Sequence, residues 1–209
     1  MSRLVNAART LRLRRLVARE SPPYRVELGA GEVRRQGWVG TDVWRGAAYH
    51  LDATGPWPFP DGSVSHVYGD NMIEHLPLEG ARELFRHAIR ALEPGGGIRL
   101  VTPDARKCAE IYLAGGEQAR ELAEAHRGAG TRMEHDIDLL RATFIEYEHS
   151  HGYAWDLTAL RAELEAAGFE VVRRVSLGES DDPAFCGLEW RVLPIDRVAM
   201  LAVEARRPG

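Results

Sequence analysis

The sequence has 209 residues, a formal net charge of −4 and two cysteines, Cys108 and Cys186. This length suits one domain with a full hydrophobic core, whereas two cysteines are too few for a disulfide framework and suit a reducing, cytoplasmic setting. No apolar run approaches the roughly 18 residues that a membrane span needs, and the acidic balance argues against a nucleic-acid-binding surface.

The first predicted element is a basic amphipathic helix over residues 1–20, with six arginines and a single glutamate. Leucines and alanines recur along it at helical spacing. Two interpretations stay open: the helix packs on its own domain or on a second copy in a homodimer, or it contacts phosphates, an anionic lipid surface or an acidic partner. Ser21-Pro22-Pro23 ends it, so residues 21–209 are predicted to form a single main domain.

A glycine turn and an acidic residue follow the first two predicted strands. The strand over residues 24–28 ends in Gly29-Ala30-Gly31, and the strand over 38–41 ends at Asp42. Glycines after a buried strand let the backbone turn sharply and let a ligand approach, and an acid at the tip of the next strand can accept both hydroxyls of a ribose. The pattern predicts a nucleoside site, with a simple tight turn as the alternative.

The remaining chain alternates strands with helices, which is typical of a mainly parallel α/β sheet. Only six residues separate Gly31 from Trp38, so the first crossover is predicted to be a loop without a helix. Polar helical segments between residues 105 and 148 are predicted to form a cap, at about 105–155, over the active-site edge. The other predicted strands cover residues 47–51, 64–68, 98–102, 169–177 and 198–203, and the polar helices cover 105–114, 117–127 and 133–147.

Five motifs stand in order along the chain: ELGAG, TD, LDATGPWPFPDGSVSHVY, NMIEHL and ALEPGGGIRLVTPD. Together they resemble the class I S-adenosylmethionine-dependent methyltransferases, closest to small bacterial members of polysaccharide and secondary-metabolite biosynthesis. The resemblance covers about residues 24–206 and is weakest over 110–145. It implies a Rossmann-like, seven-stranded, mainly parallel sheet whose last strand is antiparallel, with the helical insertion after strand five and the extra N-terminal helix. It also implies S-adenosylmethionine as the cofactor.

The same resemblance implies roles for individual residues. The glycine turn would line the methionine portion of the cofactor, and Asp42 would hold the ribose hydroxyls. Residues after the third strand would contact the adenine, and those after the fourth would lie beside the amino-acid end or the sulfonium, whose positive charge suits a carboxylate. The predicted cofactor-binding residues are Glu27, Gly29, Ala30, Gly31, Asp42, Trp44, Asp52, Ala53, Asp70 and Asn71.

A second cluster, in the segment HSHGYAW, is interpreted as the acceptor side of the site. Alternate residues would share one face of an extended segment, and histidine titrates in the range that a general base for a hydroxyl acceptor needs. The alternative is that the segment holds the cap against the sheet. His-x-His could ligate a metal, but no further ligand cluster lies near it, so no metal site is predicted. The predicted catalytic residues are His151, His149, Asp70 and His75, and the predicted substrate-binding residues are Asp104, Tyr153 and Trp155.

The sequence therefore predicts methyl transfer to a small-molecule or sugar acceptor, most simply at a hydroxyl, while N-methylation stays open. A second hypothesis is a non-catalytic protein that binds S-adenosylmethionine or S-adenosylhomocysteine and acts as a scaffold through its N-terminal helix. The third is an NAD-binding oxidoreductase, which expects an acid about 20 residues after the glycines. Asp42 lies only 11 residues after Gly31, so this reading explains the chain least well.

Overall fold

The computed structural model describes residues 2–146, 152–189 and 194–209. None of the helices in these ranges is long and apolar enough to cross a membrane. A short 3-10 helix covers Ile73–His75. The strands are β1 (Tyr24–Leu28), β2 (Val39–Asp42), β3 (Tyr49–His50), β4 (Val64–Asp70), β5 (Leu92–Pro103), β6 (Glu170–Val175) and β7 (Met200–Arg206), and the helices are α1 (Ser2–Arg19), α2 (Leu78–Ala91), α3 (Ala105–Ala114), α4 (Gly116–Gly128), α5 (Asp138–Phe144), α6 (Leu157–Ala166) and α7 (Pro194–Ala199).

The strands form one sheet in the order β3-β2-β1-β4-β5-β7-β6. Strands β1 to β5 pair in parallel, whereas β7 runs antiparallel to both of its neighbours. This is the sheet that the resemblance implied, so the predicted fold class is confirmed. Because the first five strands are parallel, their carboxyl ends lie along one edge of the sheet, where ligands bind in open α/β folds.

Both faces of the sheet are buried, as a parallel sheet requires. Neighbouring residues of a strand point to opposite faces, so Val67 and Leu100 join the larger apolar cluster while Tyr68 and Val101 join a smaller one. The larger cluster includes the buried sides of α2 and α6, and the smaller one is covered by loop residues such as Phe185.

The first crossover contains no helix, as the short spacing predicted. It turns back within residues 29–38, and Trp38 at its end packs its ring 6.1 Å from that of Tyr68 and 6.4 Å from that of Phe185. These aromatic contacts take the place of a crossover helix on this face of the sheet.

Helix α1 packs on its own domain, beside β3. Leu13 is fully buried, and Leu16 and Val17 pack against the main core. Leu11, which the sequence pattern placed on an apolar stripe, is 46% exposed. The helix therefore packs through the side that carries Leu13, and a buried arginine, Arg9, lies one turn before it.

Several predicted boundaries were wrong. The third strand covers only Tyr49–His50, the strand predicted over residues 98–102 begins at Leu92, the helix expected over residues 133–147 covers Asp138–Phe144, and the last strand begins at Met200 because a helix precedes it. That helix, α7, packs its Ile195 and Ala199 into an apolar cluster with α3, α4 and α5. The apolar run over residues 198–203 is thus buried in two different environments, which a periodicity argument cannot distinguish.

Candidate functional site

An open cavity of about 440 Å³ lies at the carboxyl ends of β1, β2 and β4. Its volume is within the range of about 300–1,000 Å³ that is usual for small-molecule sites. Of the predicted site residues, the structure brings seven to its wall: Gly29, Asp42, Trp44, Asp52, Ala53, Asn71 and His75. The rest of the lining consists of Leu28, Thr41, Val43, Leu51, Met72 and Leu76.

Gly29 forms the floor of this cavity, and only glycine fits there. Its φ angle is +68°, in the left-handed region that side chains disfavour, and a methyl group on it would lie 2.7 Å from Cγ of Met72. Met72, which follows β4, thus packs directly against the glycine turn that follows β1. Met72 stands within the NMIEHL motif, but its residue type alone predicts no role in the site.

Asp42 ties the glycine turn to the loop that follows β2. Its Oδ2 accepts a hydrogen bond from the backbone N–H of Gly31 at 2.9 Å, and its Oδ1 accepts one from the N–H of Trp44 at 2.7 Å. An ionised carboxylate has about four lone-pair positions, so both oxygens can accept a further hydrogen bond from a ligand. The backbone bonds fix the orientation of the carboxylate, and the remaining lone pairs suit a vicinal diol.

Asp52 and Ala53 are held in place by neighbours downstream in the chain. Asp52 Oδ1 accepts hydrogen bonds from the backbone N–H and the hydroxyl of Thr54, at 3.0 and 2.7 Å. The carbonyl of Ala53 accepts from the indole N–H of Trp57 at 3.0 Å. Asp52 therefore presents a second oriented carboxylate to the cavity, while Trp44, which is 48% exposed, supplies an aromatic surface.

The end of β4 supplies further polar groups. Asn71 has a φ angle of +49°, which asparagine tolerates better than most residues, and its N–H donates to the carbonyl of Val101 at 2.9 Å. Its side-chain oxygen is buried and has no hydrogen-bond partner among the described residues. A buried acceptor of this kind at a cavity wall suits a ligand donor such as an ammonium group. Asp70 ends β4 just before it, and His75 lines the same cavity.

Glu27, Ala30 and Asp70 stand next to lining residues in the chain, and Gly31 is two residues after Gly29, but none of the four lines the cavity itself. Glu27 is buried and pairs with Arg35, whose Nε lies 3.0 Å from Oε1. Burial raises the pKa of the Glu27 carboxyl, and the hydrogen bond and the charge of Arg35 oppose that rise. The carboxyl of Glu27 therefore belongs to a buried polar cluster on the opposite side of β1 from Leu28.

The residues predicted to bind the acceptor lie elsewhere. Trp155 is 1% exposed, belongs to the main core and donates its indole N–H to the carbonyl of Ile73 at 3.3 Å. Tyr153 packs on it with ring centres 4.7 Å apart, and both residues line a small second cavity of about 20 Å³, which is room for one water molecule. Asp104 is buried, caps α3 and pairs with Arg174 at 3.0 Å.

His149 and His151 fall outside the described residues, but the chain that follows them is described. A methyl group on Gly152 would lie 1.7 Å from the carbonyl oxygen of Glu74, so the backbones of the two residues are in contact. His75, the next residue after Glu74, lines the cavity of 440 Å³. The segment after His151 is therefore anchored beside one wall of this cavity.

Two larger cavities contain none of the predicted site residues. One, of about 590 Å³, lies among α3, α4 and the segment before α5, and the other, of about 600 Å³, lies beside β6. The linings of both mix acidic and basic side chains. Of these three cavities among the described residues, the one at the strand ends combines two oriented carboxylates, an aromatic surface and a turn open to a backbone approach, which are groups that suit a nucleoside with a cationic substituent.

Comparisons with known proteins agree with this geometry. A family model described as "Methyltransferase domain" matches residues 9–174 of the chain. Residue 9 lies in α1 and residue 174 in β6, so the match includes every residue that lines the cavity of 440 Å³. No protein of the curated set gives a significant match.

Solved structures of methyltransferases share the fold. A SAM-dependent methyltransferase from Archaeoglobus fulgidus is 16% identical, with a TM-score of 0.53 over 99% of this chain and 94% of that one. A SAM-dependent methyltransferase from Thermotoga maritima is 15% identical, with a TM-score of 0.50 over 98% of this chain and 91% of that one. Human N-acetylserotonin methyltransferase in complex with SAM is 14% identical, with a TM-score of 0.51 over 98% of this chain and 52% of that one. The chain thus spans nearly all of some of these structures and about half of longer ones.

Proposed function

The chain belongs to the methyltransferase-domain family whose model matches most of its length, and from this we propose that it transfers the methyl group of S-adenosylmethionine to a small-molecule or sugar acceptor. The observation that carries the proposal is the cavity at the strand ends, where the carboxylates of Asp42 and Asp52 are both oriented by hydrogen bonds. When bound, the cofactor supplies an electrophilic methyl group on a positively charged sulfur.

The residues at the cavity suit this cofactor by their chemistry, and the roles proposed for them are as follows. Asp42 accepts the two ribose hydroxyls, Asp52 accepts from the adenine amino group, and Trp44 covers one face of the adenine. The glycine turn at Gly29 lets the backbone approach the methionine portion. Asn71 offers a buried acceptor to the cofactor ammonium, and Asp70 provides negative charge near the sulfonium, where opposite charges attract.

Calorimetric titration with S-adenosylhomocysteine, with NAD as the comparison ligand, tests the cofactor assignment. We expect micromolar binding of S-adenosylhomocysteine and no binding of NAD, because Asp42 lies too close to the glycine turn for a dinucleotide fingerprint. Binding of NAD alone would replace the proposal by an oxidoreductase. If neither ligand gives a heat of binding, both the cofactor assignment and the proposed methyl transfer are wrong.

For the acceptor, we propose a hydroxyl group, with His151 or His149 as the general base. Methyl transfer is an in-line displacement, so the protein must align the nucleophile with the sulfonium and remove the proton of a hydroxyl. The support is the contact of Gly152, the residue directly after His151 in the chain, with Glu74, whose neighbour His75 lines the cavity. A neutral amine would need alignment alone, so the requirement for a base distinguishes the two acceptor classes.

Replacement of each histidine by alanine tests this assignment. With an acceptor found by screening sugars and small hydroxyl compounds, we expect turnover to fall by about 100-fold or more for the residue that acts as base. The affinity for S-adenosylhomocysteine should stay unchanged, because neither residue is proposed to hold the cofactor. His135→Ala, in the exposed segment before α5, is the matched control. If both variants turn over as fast as the wild type, the base assignment is wrong.

Two further points belong to the same proposal. Cys108 is buried, Cys186 is exposed and both are free thiols, which supports a reducing, cytoplasmic setting.

A protein that binds S-adenosylhomocysteine but transfers no methyl group to any acceptor class would instead support the scaffold hypothesis. Methyl transfer to water-soluble acceptors in that screen distinguishes the enzyme from the scaffold.

A further inference from the structure

A buried arginine connects the N-terminal helix to the cofactor side of the cavity. Arg9 of α1 is only 4% exposed. Its Nε lies 3.1 Å from the carbonyl oxygen of Ala47, and its Nη2 lies 2.7 Å from that of Trp44. The same Nη2 lies 3.2 Å from the carbonyl oxygens of Asp42 and Tyr49. One guanidinium therefore reaches four carbonyl groups that are 33 to 40 residues away in the chain.

These four carbonyls belong to the β2–β3 loop (residues 43–48) and to the strand residues at its two ends. The loop carries Trp44 on the cavity wall, and Asp42 precedes it directly. Gly46 lies under the Trp44 ring, since a methyl group on Gly46 would be 1.7 Å from Cζ3 of that ring. The position of the tryptophan thus depends on the conformation of the loop backbone.

Besides this arginine, the Asp42 carboxylate, which accepts from the N–H of Trp44 at 2.7 Å, holds the backbone of the loop. Within it, the N–H of Ala47 donates to Trp44 at 3.3 Å, and across its ends the N–H of Leu51 donates to Asp42 at 3.4 Å, both long for N–H···O bonds. From the other side, Arg34 of the first crossover donates to the carbonyl of Gly46 at 3.1 Å. Arginine side chains from two separate elements therefore bind carbonyl groups of the loop, while the Asp42 carboxylate binds the N–H of Trp44.

We propose that Arg9 is a positioning residue of the cofactor site: α1 holds the β2–β3 loop in the conformation in which Asp42 and Trp44 receive the nucleoside. The inference rests on the proposed function, since it concerns binding of the same cofactor. It assigns the basic helix a role within the active domain, through a buried arginine on its inner side. The exposed arginines, such as Arg12 and Arg15, have no part in it.

Arginine is suited to this task in a way that lysine is not. Its planar guanidinium has five N–H donors in a fixed arrangement, so it can serve several carbonyl groups at once, whereas lysine has three donors on a single nitrogen. An Arg9→Lys variant keeps the positive charge but loses the two separate nitrogens, Nε and Nη2, that donate to Ala47 and Trp44. The loop would then sample conformations in which Asp42 and Trp44 are misplaced for the cofactor.

The experiment compares wild type with Arg9→Lys by hydrogen exchange without ligand and by titration with S-adenosylhomocysteine. In the variant we expect faster exchange of the amides of residues 43–48, with unchanged exchange in α6, which does not contact the loop. If the binding conformation is populated about one tenth of the time, the dissociation constant rises about tenfold. Arg12→Lys, an exposed arginine on the same helix, should leave both quantities at their wild-type values.

The two readouts distinguish a failure of this inference from a failure of the proposed function. Wild-type exchange at residues 43–48 together with wild-type affinity in Arg9→Lys would overturn the positioning role while leaving the cofactor assignment intact. A wild-type protein that does not bind S-adenosylhomocysteine would overturn the cofactor assignment, and the exchange of residues 43–48 would still decide whether Arg9 holds the loop. Equally faster exchange in α6 would show a general loss of stability and would also overturn the inference.

Discussion

Replacement of Asp42 by alanine is expected to weaken the binding of S-adenosylhomocysteine by about 100-fold or more. A hydrogen bond to a charged group contributes roughly 1.5–3 kcal/mol, and Asp42 is proposed to make two of them to the ribose. About 2.8 kcal/mol corresponds to a factor of 100 in the dissociation constant. The substitution also releases the N–H groups of Gly31 and Trp44, which the carboxylate holds at 2.9 and 2.7 Å. Calorimetric titration measures the change directly.

Two further variants separate the loss of the ribose contact from a loss of structure. Asp61→Ala removes an aspartate that is 77% exposed and pairs with Arg90 at the other end of β4, so its affinity should equal that of the wild type. Asp42→Asn keeps one acceptor oxygen and should bind with intermediate affinity. A dissociation constant within threefold of the wild type in Asp42→Ala, with an unchanged thermal midpoint, would show that Asp42 does not hold the ribose. (The threefold limit is about half a kcal/mol.)

The cofactor side of the site could be predicted from sequence because its determinants are local. A glycine turn, a strand-end acid and a second acid each follow a strand, and parallel strands place their carboxyl ends along one edge. Gly29, Asp42, Asp52 and Asn71 consequently line one cavity. The short first crossover was predictable for the same reason, since six residues cannot form a helix and return to the sheet.

The features that sequence reasoning missed depend on contacts between distant residues. Arg9 was read only as one of six basic residues, because nothing near it in the chain shows that its partners lie 33 to 40 positions away. Met72 was quoted within a motif, but its contact with Gly29 requires β1 and β4 to be neighbours. Asp182, in the acidic loop after β6, pairs with His66 and Arg206, and neither partner is near it in the chain.

The acceptor side of the site could not be predicted from the sequence, for a different reason. An alternating polar pattern predicts one common face only if the segment is extended, and the pattern gives no information about what that face contacts. Trp155 lies in the core and uses its indole N–H for the carbonyl of Ile73. The alternative that was considered for this segment, a contact between the insertion and the sheet, describes the environment of Trp155. Large aromatic side chains contribute most when buried, so a tryptophan by itself indicates a core as readily as a pocket.

The most buried charge in the described structure is a further long-range feature, centred on Arg99 of β5. Its side chain is fully buried, and all five N–H groups have acceptors within 3.0 Å: the carboxylates of Glu189 and Glu204 and the carbonyls of Ser176 and Glu179. Burial lowers the pKa of Arg99, but the two carboxylates outweigh this effect and raise it, so the guanidinium stays charged. Arg99 therefore fixes the loop that carries Phe185 onto the sheet.

Substitution of Arg99 by methionine is expected to lower the free energy of unfolding by about 3–5 kcal/mol, because it leaves two buried carboxylates without their main partner. For a chain of this size the loss corresponds to a fall in the thermal midpoint of roughly 6–20 °C. Urea unfolding gives the free energy, and a thermal scan gives the midpoint. Arg99→Lys, which keeps the charge but has fewer donors, should lose an intermediate amount and remain measurable if the methionine variant does not fold.

Arg173 provides the matched control, because it pairs with the same Glu204 but from the surface. Its side chain is 38% exposed and its Nη2 lies 3.0 Å from Oε2 of the glutamate. A solvent-exposed pair contributes only about 0–1 kcal/mol, so the free energy of unfolding of Arg173→Met should be close to that of the wild type. The contrast follows from desolvation: water can replace Arg173 but cannot reach the site of Arg99. Equal losses for the two variants would show that burial does not determine the cost, and a loss below about 1 kcal/mol in Arg99→Met would contradict the role of the buried network.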